Sequence, residues 1–155
     1  MIHFEKIKPE DARFIFRLRN ERVTRQMSLK NSRLIGWKTH KAWFEKTLQK
    51  KDCFFWSVFF KGKRIGLVRF DEGIVSIHLL PRYRGKKLGS PAICEATKLY
   101  CKKRQQPAIA LINPMNVASI KAFEKAGYVP ARKIFLVQEN GKKIAALKYI
   151  YRVIG

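Results

Sequence analysis

Pro81-Arg82-Tyr83-Arg84-Gly85-Lys86-Lys87-Leu88-Gly89-Ser90 joins an apolar run ending at Leu80 to a segment of helical pattern that starts near Lys87. Two glycines let the backbone approach a ligand closely. The unpaired N–H groups and dipole of a helix start favour an anion at the same place. Such a strand-loop-helix passage is built to cradle a pyrophosphate, although a solvated basic turn has the same composition. Pro91 falls in the first turn of the helix, where a missing N–H does least harm.

Upstream of the loop, Gly73 to Leu80 reads as a strand that stops at Pro81. Before it, Cys53 to Phe60 and Arg64 to Phe70 form a hairpin around Lys61-Gly62-Lys63. Nearer the N-terminus, Ile2 to Lys8 alternates as a strand. Pro9-Glu10-Asp11 then opens a helix whose apolar positions are Ala12, Phe14, Ile15 and Leu18. A second helix runs from Trp37 to Gln49. Downstream, the loop's own helix extends to about Lys103, followed by a short strand over Ala108–Ile112 and a helix from Val117 to Ala126, closed by Gly127. Ile134 to Val137 and Lys143 to Tyr151 make a last hairpin around Asn140-Gly141. The order β-α-α-β-β-β-α-β-α-β-β implies an α+β sheet with helices on both faces.

At 155 residues and 46% hydrophobic content the chain can bury one core but hardly two, so a single domain over residues 1–155 is expected. No apolar run approaches the length of a bilayer span, and the expected location is cytoplasmic. Cys53, Cys94 and Cys101 form no C-x-x-C pair, and His3, His40 and His78 are scattered, so no metal is expected. A net charge of +23, from 34 basic and 11 acidic residues, attracts anionic partners: a phosphate-bearing cofactor or substrate, RNA, or a membrane surface. The basic residues are spread along the whole chain, which is equally the pattern of solvated faces.

The loop resembles the signature R/Q-x-x-G-x-G/A of the GCN5-related N-acetyltransferases (GNAT), aligned on Arg84, Gly85, Lys86, Lys87, Leu88 and Gly89. Lys87 stands at the family's first signature glycine and brings a cation to the phosphates. A later stretch, Asn113 to Tyr128, resembles the family's asparagine-led helix that ends in glycine and an aromatic residue. The resemblance implies a mostly antiparallel, twisted mixed sheet of about seven strands flanked by about four helices. It also implies acetyl-CoA as co-substrate, its pantetheine arm lying like an extra strand between two splayed central strands. Backbone groups of Ile77, His78, Leu79 and Leu80 would then hold pantetheine. The amides from Gly85 to Ser90 would hold the pyrophosphate with Arg84 as a further cofactor-binding residue, and Asn116, Ser119 and Phe123 would line the cofactor.

Acetyl transfer to an amine requires a deprotonated nucleophile, a donor for the tetrahedral oxyanion and sometimes a proton for the leaving thiolate. His40 and Glu72 are the candidate bases, directly or through water. His40 equally suits a hydrogen bond within a packed helix, and Glu72 a turn beside Asp71. Many family members carry a tyrosine acid where this chain has Phe123, which leaves Ser119 or Tyr128 to substitute. A thiolate is a fair leaving group without help.

The acceptor pocket in this fold is shaped by the first third of the chain. There Leu18-Arg19-Asn20, Met27-Ser28 and Lys38-Thr39-His40 with Trp43-Phe44 resemble the acetyltransferases of the pseudaminic-acid pathway, which act on a UDP-linked 4-amino sugar. That resemblance would turn Arg19, Asn20, Trp37, His40 and Trp43 toward a phosphate-bearing small amine. The two tryptophans fit a core as readily. Alternatives are acetylation of a ribosomal or other basic protein's N-terminus and a cofactor-binding relic suggested by Lys87 and Phe123. A noncatalytic nucleic-acid-binding module has charge as its sole support. A monomer and a homodimer are both compatible with the sequence.

Overall fold

The computed structural model describes residues 1–152, and these build one seven-stranded sheet in the order β1-β2-β3-β4-β5-β7-β6. The strands are β1 Ile2–Lys6, β2 Cys53–Phe60, β3 Lys63–Asp71, β4 Ile74–Leu79, β5 Ala108–Ile112, β6 Val129–Val137 and β7 Lys143–Tyr151. The helices are α1 Ala12–Arg19, α2 Arg22–Gln26, α3 Trp37–Leu48, α4 Gly89–Arg104 and α5 Val117–Lys125. The α+β architecture follows the expectation, with one short helix, α2, added in the polar stretch after Asn20. Glu21 explains it: its carboxylate accepts from the backbone N–H groups of Val23 and Thr24 and so caps a helix that has no apolar face.

Helices cover both faces, which is why the central strands β2 and β3 are nearly continuous in apolar residues. On one face α4 and α5 enclose Trp56, Val68, Phe70, Val75, Ala96, Tyr100 and Phe123. Within that core Tyr100 stacks on Phe70 at 4.4 Å, and the Tyr128 hydroxyl, 2.7 Å from the hydroxyl of Thr97, is satisfied internally. On the other face α1 and α3 enclose Ile15, Leu18, Phe44, Phe55 and Leu67.

β6 begins at Val129, five residues before the strand expected at Ile134. Pro130 hid it. A proline is tolerated there because β6 is an edge strand, and the register shifts between Pro130 and Arg132.

All neighbouring strands pair antiparallel except β4 and β5, which run parallel and pair only through Ile74 with Ile109 and Val75 with Ala110. Beyond that point they part. β4 continues to Leu79 along β3, and β5 continues to Ile112 along β7, leaving a wedge in the middle of the sheet.

Candidate active site

The wedge exposes backbone that needs a partner. Leu80 N–H donates to Ile65 O at 2.8 Å, so by the two-residue period of a strand the polar groups of Ser76 and His78 also turn toward β3. Those of Ile77 and Leu79 turn into the wedge, where β5 no longer reaches them. The N–H and C=O of Ile77 and the N–H of Leu79 are left ready to accept another extended chain, while Leu79 O is taken by Arg84. Gly66 makes the arrangement possible: an added Cβ would lie 2.2 Å from His78 O and 2.9 Å from the Leu79 Cα. No other residue lets β3 press so close to the wedge strand.

The wedge opens at its wide end onto the glycine loop. Gly85 and Lys87 both lie in the left-handed region, at φ 71° and 60°. The turn that the family makes with glycine is thus kept with lysine at Lys87, at a cost of about 1 kcal/mol. Lys86 and Lys87 are exposed beside the start of α4. Ala92 N–H is the first to bond back within α4, to Leu88 O, and Pro91 has no N–H, so the helix offers the amides of Gly89 and Ser90. A Cβ added at Gly89 would meet the Ala122 Cβ at 3.6 Å, an ordinary contact distance, so α5 lies beside the loop.

Arg84 has a different task from the rest of its loop. Its guanidinium binds Glu21 at 2.6 Å, the Thr24 hydroxyl at 3.3 Å and Leu79 O at 3.1 Å. It ties the end of β4 to α2, and Glu21, pulled below the ordinary carboxylate range by the Val23 N–H and this ion pair against the opposing effect of burial, stays ionised.

On the α1/α3 face the paired residues Phe55, Arg69 and Ser76 form a row across β2, β3 and β4, and Leu67 and His78 stand in the next row. Ser76 is the first β4 residue past the point of parting. Above the row lies the half-buried Trp43 of α3, with the Arg19 guanidinium 4.3 Å and the Arg69 guanidinium 4.9 Å from its ring centre. Burial, and after it Arg69, Arg84 and Arg19, push the His78 pKa down to about 4, so its ring is neutral near pH 7.

His40 is wholly buried. Its Nε2–H donates to Ala12 O at 3.0 Å and its Nδ1 faces Arg19 at 3.3 Å, so both ring nitrogens are engaged; burial lowers its pKa. Asn20 is likewise occupied, holding both the N–H and the C=O of Ile35. Trp37 packs edge-on against Phe16, and the Arg13 guanidinium lies 4.0 Å from its ring centre. Glu72 sits exposed in the β3–β4 turn at φ 52°, at the closed end of the wedge and about 13 Å of strand from Ser76.

Asn116 caps α5 by accepting from Ser119 N–H at 3.2 Å. Ser119 is half-buried in the first turn of α5. Phe123 packs edge-on to Tyr128 in the core, and burial raises the Tyr128 pKa far above neutral. Arg69 and the His78 side chain escaped the sequence reading. The available signal was a charged residue amid the apolar β3 run Gly66-Leu67-Val68-Arg69-Phe70.

A shallow cavity of about 320 Å³ under β1, lined by Lys6, Asp11, Ser57 and Arg64 among others, lies toward the far edge of the sheet. Its central charges, Arg64 and Asp11, already pair at 3.0 Å, so the chemistry belongs to the wedge. Among the described residues no group of His, Cys, Asp and Glu is arranged to hold a metal, and no helix is long and apolar enough to cross a membrane.

Residues 2–129 match the sequence profile of an acetyltransferase (GNAT) domain. No curated protein matches in sequence. Among solved structures, the spermidine N-acetyltransferase of Vibrio cholerae, in complex with CoA and spermine, is similar with a TM-score of 0.81 at 18% identity, covering 97% of this chain and 94% of that one. An aminoglycoside acetyltransferase in complex with coenzyme A gives 0.78 at 13% identity, covering 98% and 95%. A domain from Methanocaldococcus jannaschii gives 0.81 at 18% identity, covering 99% of each chain. At these identities the likeness is one of fold.

Proposed function

The chain belongs to the GNAT family and is an acetyl-CoA-dependent N-acetyltransferase, and from that premise we propose that residues 1–155 act as one catalytic domain whose thioester lies in the β4–β5 wedge. The observation that carries this assignment is the parting of β4 from β5 after Val75 and Ala110, beside a left-handed glycine-lysine turn and a helix start. The N–H and C=O of Ile77 and the N–H of Leu79 bind the pantetheine amides as a strand would. The amides of Gly85 to Ser90 bind the pyrophosphate, with Lys86 and Lys87 at hand, and Ser119 and Phe123 wall the thioester from the α5 side.

The acceptor is a small primary amine entering over the α1/α3 face, and a nucleotide-linked amino sugar is the class to test first. The cationic surroundings that favour neutral His78 also disfavour an ammonium, so the amine arrives ready to attack. Nitrogen bonds to the acetyl carbon, the tetrahedral intermediate collapses, and CoA leaves as thiolate. The amine's surplus proton passes to water beside the neutral His78. Buried His40 holds α1 to α3 and positions Arg19. Glu72 lies too far out to take the proton.

Calorimetry with acetyl-CoA tests the cofactor seat. Gly89→Asp places an anion at the phosphates and should weaken binding at least tenfold, whereas Gly89→Ala, whose Cβ meets only ordinary contacts, should not. Equal affinity of wild type and Gly89→Asp overturns the assignment.

A further inference from the structure

Arg69 is the one arginine of the central strands placed on an inward-facing row beside the wedge, and its Nε is buried with no hydrogen-bond partner among the described residues. Neither Arg69 nor Arg19 has a carboxylate within 4 Å in that set. Two acids lie in the vicinity, and both are engaged: Asp71 with Lys50 at 2.8 Å and Glu139 with Arg33 at 3.6 Å. Lys30 stands at the rim, its pKa lowered by desolvation and then by the charges of Arg69 and Arg19. A buried cation without a counter-charge is costly to a fold, and its burial lowers the Arg69 pKa. Setting two guanidiniums against one tryptophan, with Lys30 close enough to feel both charges, raises that cost further.

We infer that the acceptor supplies the missing charge: the amine substrate carries an anionic group, carboxylate or phosphate, that docks on Arg69 and Arg19 beside Trp43. The inference rests on the acetyl-transfer assignment above. Arg69 lies directly across from Ser76, with Cα atoms about 5 Å apart. The anion and the attacking nitrogen therefore sit close together on one compact molecule. A planar guanidinium over an aromatic ring leaves its N–H edge free for two parallel hydrogen bonds to such an oxyanion. The same three charges repel a polycation. This chain should therefore reject polyamines and aminoglycosides, the ligands named for the similar folds.

Thiol release from acetyl-CoA is to be compared for matched amines: ethanolamine with phosphoethanolamine, putrescine with ornithine, glucosamine with its phosphate and with a UDP-linked amino sugar. The anionic member of at least one pair should have a kcat/KM at least tenfold higher, the pair showing whether phosphate or carboxylate is read. Arg69→Met should raise KM for that substrate at least tenfold with the acetyl-CoA Kd unchanged and with no loss of Tm, since it removes an uncompensated buried charge. Arg69→Lys should recover part of the affinity. The inference is overturned if neutral or polycationic amines are preferred, if Arg69→Met leaves KM unchanged, or if no anionic amine reacts while acetyl-CoA still binds. Failure of acetyl-CoA itself to bind would instead remove the assignment beneath it.

Discussion

Gly66→Ala tests the geometry of the wedge at one atom. The new Cβ would stand 2.2 Å from His78 O, where an ordinary carbon–oxygen contact needs about 3.3 Å, so β4 must retreat by roughly 1 Å. Overpacking of this size costs about 1–3 kcal/mol. Weakening one ladder bond, such as the one from Leu80 N–H to Ile65 O, adds about 1 kcal/mol. A total of about 2–4 kcal/mol in a domain of this size lowers Tm by roughly 4–16 °C. Because the displaced backbone carries the groups of Ile77 and Leu79, one or two hydrogen bonds to pantetheine weaken as well, and affinity for acetyl-CoA should fall about tenfold or more. Scanning calorimetry and titration calorimetry read the two effects. A variant with both the Tm and the Kd of the wild type would refute the placement of β3 against β4.

Two further outcomes are expected. His40→Ala empties a fully buried site and orphans Ala12 O, costing about 2–4 kcal/mol in denaturant unfolding. Where the variant is still folded its kcat should stay within about threefold of wild type; a hundredfold loss there would restore His40 to the chemistry. For His78 the unfolded chain takes a proton near pH 6.5 and the folded one only near about 4, so the unfolded state binds more protons in between. Stability is therefore full above pH 6.5 and falls as the pH drops toward 4, by at most about 3 kcal/mol from this group. Melting curves from pH 7 to 4 should show a shallower decline in His78→Gln, and identical slopes would contradict the lowered pKa of that ring.

Elements whose signal is local were legible in the sequence. β2, β5 and β7 occupy the spans that their apolar patterning predicts, and the cradle loop is visible through Gly85, Gly89 and the following helix. Elements fixed by capping or by pairing were not. α2 depends on the Glu21 carboxylate and has no apolar stripe, and the start of β6 hides behind Pro130 until β7 lies beside it. The site divides the same way. A histidine flanked by Trp37 and Trp43 has one appearance in sequence whether it faces a substrate or a helix, and its burial between α1 and α3 is visible only in the fold. Arg84 has the position of a phosphate ligand in the motif, yet its partner Glu21 is 63 residues away, beyond any local pattern. Arg69 acquires meaning only from Phe55 and Ser76, which the sheet register sets on either side of it.

Amide hydrogen exchange with and without CoA addresses the central claim most directly. Added coenzyme should slow exchange at Ile77, Leu79, Gly89 and Ser90 together, the strand edge and the helix start responding as one site, while the paired amides of β2 stay unchanged. Protection confined to other segments, with these four amides exchanging as before, would contradict a cofactor seated where β4 and β5 part.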